Sequence, residues 1–322
     1  MPFLKSSPNA SRIFFATDIH GSDLCWRKFL NAAAYYGAQT LIMGGDMMGK
    51  MLVPITREGA AWRADYAGRT HRLETRAELA TFTQQLADVG VYTYECEEDE
   101  LQQFADPASR EELIRRVALE RVSGWMALAD ERLAGKDVEC FAQPGNDDLE
   151  GIDELIESSQ TVRNSDGTCA KLRSGHELIA TGYSNITPWR TARELAEEEL
   201  GDVIDGLFKQ LEQPSTAIAS LHVPPFGSNL DNAPRLDDQF QVQTRGGQAD
   251  MVPVGSTAVR DAIAKHQPLL ALHGHIHESP GRILLGKTTC VNPGSEYQEG
   301  VLQGALIRLG RDRVENVQFV RG

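Results

Sequence analysis

Short apolar runs closed by glycine, proline or polar pairs alternate with stretches where apolar residues return every three or four positions, a rhythm that predicts an α/β chain. The first run, Arg12 to Thr17, reads as a strand. Ser22 or Asp23 then caps a helix that carries Leu24, Phe29 and Leu30 to Tyr36 and stops at Gly37. Thr40 to Met43 and Val138 to Ala142 continue the sheet, the latter followed by a short helix through Ile152, Leu155 and Ile156. Glu177 to Thr181, Thr216 to Leu221 and Pro268 to Leu272 are further strands. Thr187 as cap, with Pro188 in the first turn, predicts a helix to about Leu211, and Ser256 caps another through Val259 and Ile263. Gly227 to Val252, rich in Gly, Asp and Gln, reads as a long flexible loop. Four last runs, Ile283 to Leu285, Thr288 to Val291, Ala305 to Leu309 and Val314 to Val320, predict a closing antiparallel sheet.

The segment between Asp46 and Val138 breaks this rhythm. Trp62 to Thr70 reads as a small hairpin turning at Ala67-Gly68, and Leu79, Phe82, Leu86 and Val89 repeat at helical spacing. Glu95 to Glu100 is a solvated acidic face. A capping box, Ser109-x-x-Glu112, opens a long helix with Ile114, Val117, Val122, Trp125 and Leu128 on one side, to about Leu133. Residues 50–136 are therefore expected to be a helical insert or cap within one domain spanning 1–322, shaping a pocket or a subunit contact.

Composition narrows the function classes. The 322 residues are 41% hydrophobic and 24% charged, a globular balance with material for a large core. The formal charge of −14, from 46 acidic and 32 basic residues, argues against duplex nucleic acid as a partner, because neutralising a phosphate backbone needs concentrated positive charge. Five cysteines without a C-x-x-C pair suit a reducing compartment and core thiols. The polar start, Met1 to Ser11, has no export signature, and no apolar run is long enough to span a bilayer, so a soluble, cytoplasmic protein with no membrane contact is expected.

The candidate chemistry lies where the strands end. His273-Gly274-His275-Ile276-His277 places three of eight histidines directly after an apolar strand, with Gly274 allowing a sharp turn. Neutral imidazole is the commonest protein metal ligand. Other strand exits offer Asp18 and His20, Asp46 after Gly44-Gly45, Asn146 after Gly145, and His222. In open α/β sheets ligands collect beyond the carboxyl ends of strands. Seven nitrogen and oxygen donors exceed what one ion needs and suit two divalent ions sharing a carboxylate. With no cysteine among them, Mn, Fe or Zn fit better than soft-metal chemistry.

The order D-x-H, G-D, G-N-x-D, H, G-H-x-H resembles the calcineurin-like metallophosphoesterase superfamily. Here the blocks are Asp18-Ile19-His20, Gly45-Asp46, Gly145-Asn146-Asp147-Asp148, His222 and Gly274-His275-Ile276-His277. The resemblance implies a four-layer α-β-β-α sandwich with the site at the sheet edge. It also implies that Asp18, His20 and His277 hold one metal, that Asn146, His222 and His275 hold the other, and that Asp46 bridges both. Two such cations make hydroxide available near neutral pH and clamp phosphoryl oxygens for in-line displacement, which is phosphoester hydrolysis. Asp46, Asn146, Asp147 and His222 are the candidate catalytic positions. His273 lies outside the motif and reads as a supporting or packing residue, and Asn292-Pro293-Gly294-Ser295 as a structural turn.

One position departs from the pattern: many members have G-N-H-[DE], and Asp147 stands where their histidine aids the phosphate or the leaving group. Beside two cations its carboxyl is expected to have a depressed pKa, making it a poor acid that repels phosphate oxygens. A phosphodiester of a small nucleotide-like or other organic compound is the expected substrate. A phosphomonoesterase or protein phosphatase is the alternative within the enzyme class. Outside it stands a metal-binding interaction scaffold, a use to which a retromer subunit puts the same fold.

Overall fold

The computed structural model of the chain describes residues 10–101 and 106–322. Most of the polar start read as non-targeting lies outside the described residues. Two six-stranded sheets dominate the fold. The first runs, in spatial order, Val314–Arg321, Gln303–Leu309, Ser11–Ala16, Thr40–Met43, Glu139–Ala142, Val162–Asn164. The second runs Gly281–Leu285, Thr288–Asn292, Leu270–Leu272, Ile218–Leu221, Glu177–Thr181, Cys169–Lys171.

Alternation along the strands sets the layers. Ile13, Phe15, Ile42 and Phe141 of the first sheet meet Leu178, Ile218, Leu270, Leu272 and Val291 of the second in one apolar core. Their neighbours Phe14, Ala16, Leu41, Met43 and Cys140 point the other way. These pack on three helices: α1 (Asp23–Tyr36), α3 (Pro107–Leu133) and α4 (Ile152–Glu157). On the far side Ile179, Ala219, Leu221 and Ala271 pack on α5 (Glu197–Phe208) and α6 (Thr257–His266). The order is α-β-β-α, as the resemblance implies. No helix among the described residues is long and apolar enough to cross a membrane.

Several elements differ from the sequence reading. The closing antiparallel sheet is two hairpins, one on each sheet: Gly281–Leu285 with Thr288–Asn292, and Gln303–Leu309 with Val314–Arg321. Residues 50–136 are not all helix. They hold a four-stranded sheet, ordered Arg69–Leu73, Ala61–Tyr66, Leu52–Glu58, Tyr92–Cys96, beside α2 (Arg76–Asp88) and α3. The hairpin at Ala67-Gly68 forms one edge of it. Strands Leu52–Glu58 and Tyr92–Cys96 escape the pattern because both faces are covered, Val53 and Ile55 against Leu79, Phe82 and Leu86 of α2 and Leu52 and Tyr92 in the core beneath α1 and α3, so no alternation marks them. The long helix starts earlier than Ser109: Asp106 is its cap, accepting from the Ser109 amide at 2.9 Å and its hydroxyl at 2.6 Å, with Pro107 in the first turn.

The helix expected from Thr187 begins only at Glu197. Thr187 gives its hydroxyl to Glu194 at 2.5 Å, and Arg190 adopts φ 50°, so the chain turns instead of winding. Three glutamates in the first turn of α5 suit its positive end. The loop read at 227–252 carries two short ladders, Asn232–Pro234 with Met251–Pro253 and Thr244–Arg245 with Gln248–Ala249, and forms a largely exposed arm.

Candidate metal centre

Each large sheet has four parallel strands running to one edge, and the loops that follow five of these eight carry every candidate ligand. Asp18 and His20 follow Ser11–Ala16, Asp46 follows Thr40–Met43, and Asn146 follows Glu139–Ala142. His222 follows Ile218–Leu221, and His275 and His277 follow Leu270–Leu272. Four of these residues, Asp18, His20, Asp46 and His275, have φ between 37° and 64°, a left-handed backbone that side chains rarely adopt and that concentrates at functional sites.

Glycine makes the approach possible. A Cβ on Gly274 would stand 2.3 Å from Asp18 Oδ2, and one on Gly145 would stand 2.1 Å from Asp46 Oδ1. Gly274 therefore serves close packing rather than the turn expected of it, which His275 itself makes. Around these loops sit backbone anchors. Asp148 is fully buried and accepts from the amides of Met47, Met48 and Gly145 at 3.0, 2.6 and 2.7 Å, locking the Asp46 loop to the Asn146 loop. Burial and the nearby Asp46 charge push its carboxyl up to about 7. Ser295 donates to the Asp18 carbonyl at 2.6 Å, the structural part read for its turn. His273 is fully buried with Nδ1 2.8 Å from the Leu221 carbonyl, away from the ligands.

The seven candidate residues come together. Donor atoms of Asp18, His20 and His277 lie within 4.8 Å of one another, as do those of Asp46, His222 and His275 and those of His20, Asp46 and Asp147. Asn146 Oδ1 joins the second group, 3.1 Å from His222 Nε2 and 2.7 Å from His275 Nδ1. Asp46 Oδ2 lies 3.4 Å from His222 Nε2 and 3.7 Å from His20 Nε2, between the two halves.

Lone pairs decide whether cations fit. His222 Nδ1 is 2.9 Å from the Gly44 carbonyl, so that nitrogen carries the hydrogen and Nε2 offers a lone pair. The Asn146 amide nitrogen donates to Thr191 Oγ1 at 2.8 Å, which turns its oxygen toward the histidines. In that tautomer an imidazole lone pair, an amide oxygen and a carboxylate oxygen converge. A positive charge, either a cation or the second proton of an imidazolium, satisfies that arrangement. The same demand governs the titrations. Burial would lower His222, but the Asp46 charge overrides it and drives the ring up to about 10. Burial would raise Asp46 and Asp18, yet the histidines hold both below the ordinary carboxylate range. His275 is pushed down to about 4 by burial and by His222, leaving it neutral as a ligand must be. The clusters fit two divalent ions.

Sequence reasoning missed the supports. Thr191 orients Asn146 and passes its own hydrogen to Glu194 at 2.7 Å; both lie in the turn read as helix. Lys50 Nζ sits 2.6 Å from Asp147 Oδ1, so Asp147 is one half of an ion pair and not the isolated anion expected. Its expected pKa depression counts on bound cations; burial and Asp46 push it upward, against the pull of Lys50. Tyr297 lays its ring 4.7 Å from that of His20. Within residues 50–136, Tyr92 accepts the Gly49 amide at 2.9 Å and Arg121 donates to the Gly21 carbonyl at 2.8 Å, so this segment backs the His20 and Lys50 loops.

No family model matches the chain. A stretch of 159 residues is 29% identical to an uncharacterized protein, MJ1162, of Methanocaldococcus jannaschii, covering 48% of this chain and 64% of that one, less than two thirds of its length. The structure of TT1561 of Thermus thermophilus superposes with a TM-score of 0.54 and 13% identity, over 97% of this chain and 98% of that one. A dimetal phosphatase from Danio rerio aligns at a TM-score of 0.45 and 10% identity, over 96% and 98%. The four layers and the five blocks meeting in order at one sheet edge decide the architecture. The fold is the four-layer α-β-β-α sandwich that the resemblance implies. Against the motif order of that resemblance the chain keeps a donor at all seven positions and differs at Asp147.

Proposed function

We propose that the chain is a dinuclear metal-dependent phosphoester hydrolase in which Asp18, His20 and His277 hold one ion, Asn146, His222 and His275 hold the other, and Asp46 bridges them. The observation that carries this reading is the position of Asp46, whose Oδ2 faces His20 on one side and His222 on the other while Oδ1 is fixed by the Asp147 amide at 2.9 Å. Divalent ions, of which manganese, iron and zinc suit these donors, would neutralise phosphoryl oxygens and acidify water there. Asn146 contributes an oxygen without charge. Lys50, held by Asp147, offers an ammonium at the mouth of the site.

The same pair supports a preference for phosphodiesters. Neither an aspartate nor a lysine matches histidine as a proton donor near neutral pH, so a poor leaving group goes unassisted. Esters with good leaving groups, and diesters with their single charge, are the better substrates. A reducing, cytoplasmic setting suits the five free cysteines, and residues 50–136 read as an insert within one hydrolase domain.

A panel of Mn²⁺, Fe²⁺ and Zn²⁺ against bis-p-nitrophenyl phosphate, p-nitrophenyl phosphate and a phosphopeptide tests the reading, with Asp46→Asn as control. Metal-dependent diester turnover that vanishes in the control is expected. Faster monoester or phosphopeptide turnover would replace the diester reading by a phosphatase. Metal binding without any turnover would leave the interaction scaffold.

A further inference from the structure

Trp189 and Phe240, 64% and 52% exposed, bring their rings together with centroids 6.3 Å apart from segments fifty-one positions apart in the chain. The other three tryptophans, Trp26, Trp62 and Trp125, are buried. Leaving two large rings in water forgoes burial, and nothing in the core explains their meeting.

Both rings stand on turns built to present them. Glu194 accepts from the Thr187 amide and hydroxyl and from the Thr191 amide and hydroxyl, at 2.5 to 3.0 Å, closing the turn that carries Trp189. Asp237 accepts from the amides of Gln239 and Gln241 at 2.9 Å each, closing the turn that carries Phe240. Phe240 itself has φ 60°, a conformation that costs a bulky residue free energy and persists only where its surroundings impose it. The arrangement is preorganised on both sides.

The first turn also reaches the metal centre. Thr191, which holds the Asn146 amide, is two residues from Trp189, so their Cα atoms are at most about 7 Å apart. An aromatic pair this close to a phosphoryl site is placed for the organic part of the ester. Ring faces recognise flat π systems regardless of their hydrogen-bonding edges.

We infer that Trp189 and Phe240 form a stacking platform that takes a planar aromatic group of the phosphoester, a nucleobase, while its phosphate lies at the ions. The identity of the attached phosphate rests on the hydrolase reading; the stacking itself does not. Trp189 is the exposed tryptophan, so its fluorescence reports the platform directly, with or without turnover.

Titrating the metal-loaded protein with AMP should quench tryptophan emission, while ribose 5-phosphate, which has the phosphate without the base, should not. Phe240→Ala keeps the reporter and removes one face; its affinity for AMP should fall about tenfold. In turnover, the preference for a nucleotide diester over an aliphatic glycerophosphodiester should also fall about tenfold in Trp189→Ala. Equal quenching by both phosphates, unchanged affinity in Phe240→Ala, or an emission change that follows protein concentration instead of nucleotide would overturn the platform, the last pointing to a contact between copies. Loss of all turnover with base-specific quenching intact would instead count against the hydrolase and leave the platform standing.

Discussion

His20 and His277, 257 positions apart in the chain, face each other Nε2 to Nε2 at 3.1 Å. Two neutral imidazoles cannot both offer lone pairs across that gap; a proton or a cation must lie between them. Metal ions should therefore stabilise the fold strongly. At a free Mn²⁺ concentration a hundredfold above Kd, one site adds about 2.7 kcal/mol to the unfolding free energy. Thermal melts with and without EDTA check this, and melting temperatures that ignore the chelator would contradict it.

Thr191 is expected to matter without touching an ion. Thr191→Val removes the acceptor that fixes the Asn146 amide, letting its oxygen turn from His222 and His275. Losing such an outer support costs ten- to a hundredfold in metal affinity. Calorimetric titration should show one weakened site and one intact site; two intact sites would leave Thr191 a bystander.

Gly274→Ala is expected to injure the other half. Its new methyl would meet Thr17 Oγ1 at 2.2 Å and Asp18 Oδ2 at 2.3 Å, and the backbone on both sides is fixed. The ion held by Asp18, His20 and His277 should be lost while the far-ultraviolet circular dichroism stays native. Two bound ions in this variant would show that the loop can shift.

Replacing Asp147 by His should restore the histidine of the commoner pattern and release Lys50 from its 2.6 Å pair. Turnover of p-nitrophenyl phosphate relative to its bis ester should rise by tenfold or more, within the range of one acid–base group. An unchanged ratio would remove Asp147 from the account of specificity.

Burial pushes the His273 imidazole down to about 4 from an ordinary 6.5. The folded protein keeps this ring neutral where the unfolded chain protonates it. Its contribution is complete above the unfolded value and is lost as pH falls toward 4, at about 1.4 kcal/mol per unit. Urea unfolding of metal-free protein at pH 7 and pH 4.5 should show a shallower acid loss for His273→Asn than for the parent. Identical losses would mean that other groups carry it.

The site was largely legible in the sequence because each ligand sits within a few residues of a strand end, where local pattern is strongest. Ser22, Gly37 and Ser256 act as the caps their neighbours imply. What escaped depends on contacts between distant residues. Thr187 looked like a helix start until Glu194, seven positions on, took its hydroxyl. Strands Leu52–Glu58 and Tyr92–Cys96 pair across thirty-odd intervening positions and pack into apolar clusters on both faces, so neither shows an alternating pattern. Lys50 with Asp147, and Trp189 with Phe240, are encounters that no local spacing encodes.

Anomalous scattering from crystals grown with Mn²⁺ tests the bridging role of Asp46 most directly. Two peaks per chain are expected, one among Asp18, His20 and His277, the other among Asn146, His222 and His275, with the Asp46 carboxylate between them, and at least one peak should be gone in Asp46→Asn. A single peak, or two peaks that Asp46 does not touch, would contradict a shared dinuclear centre.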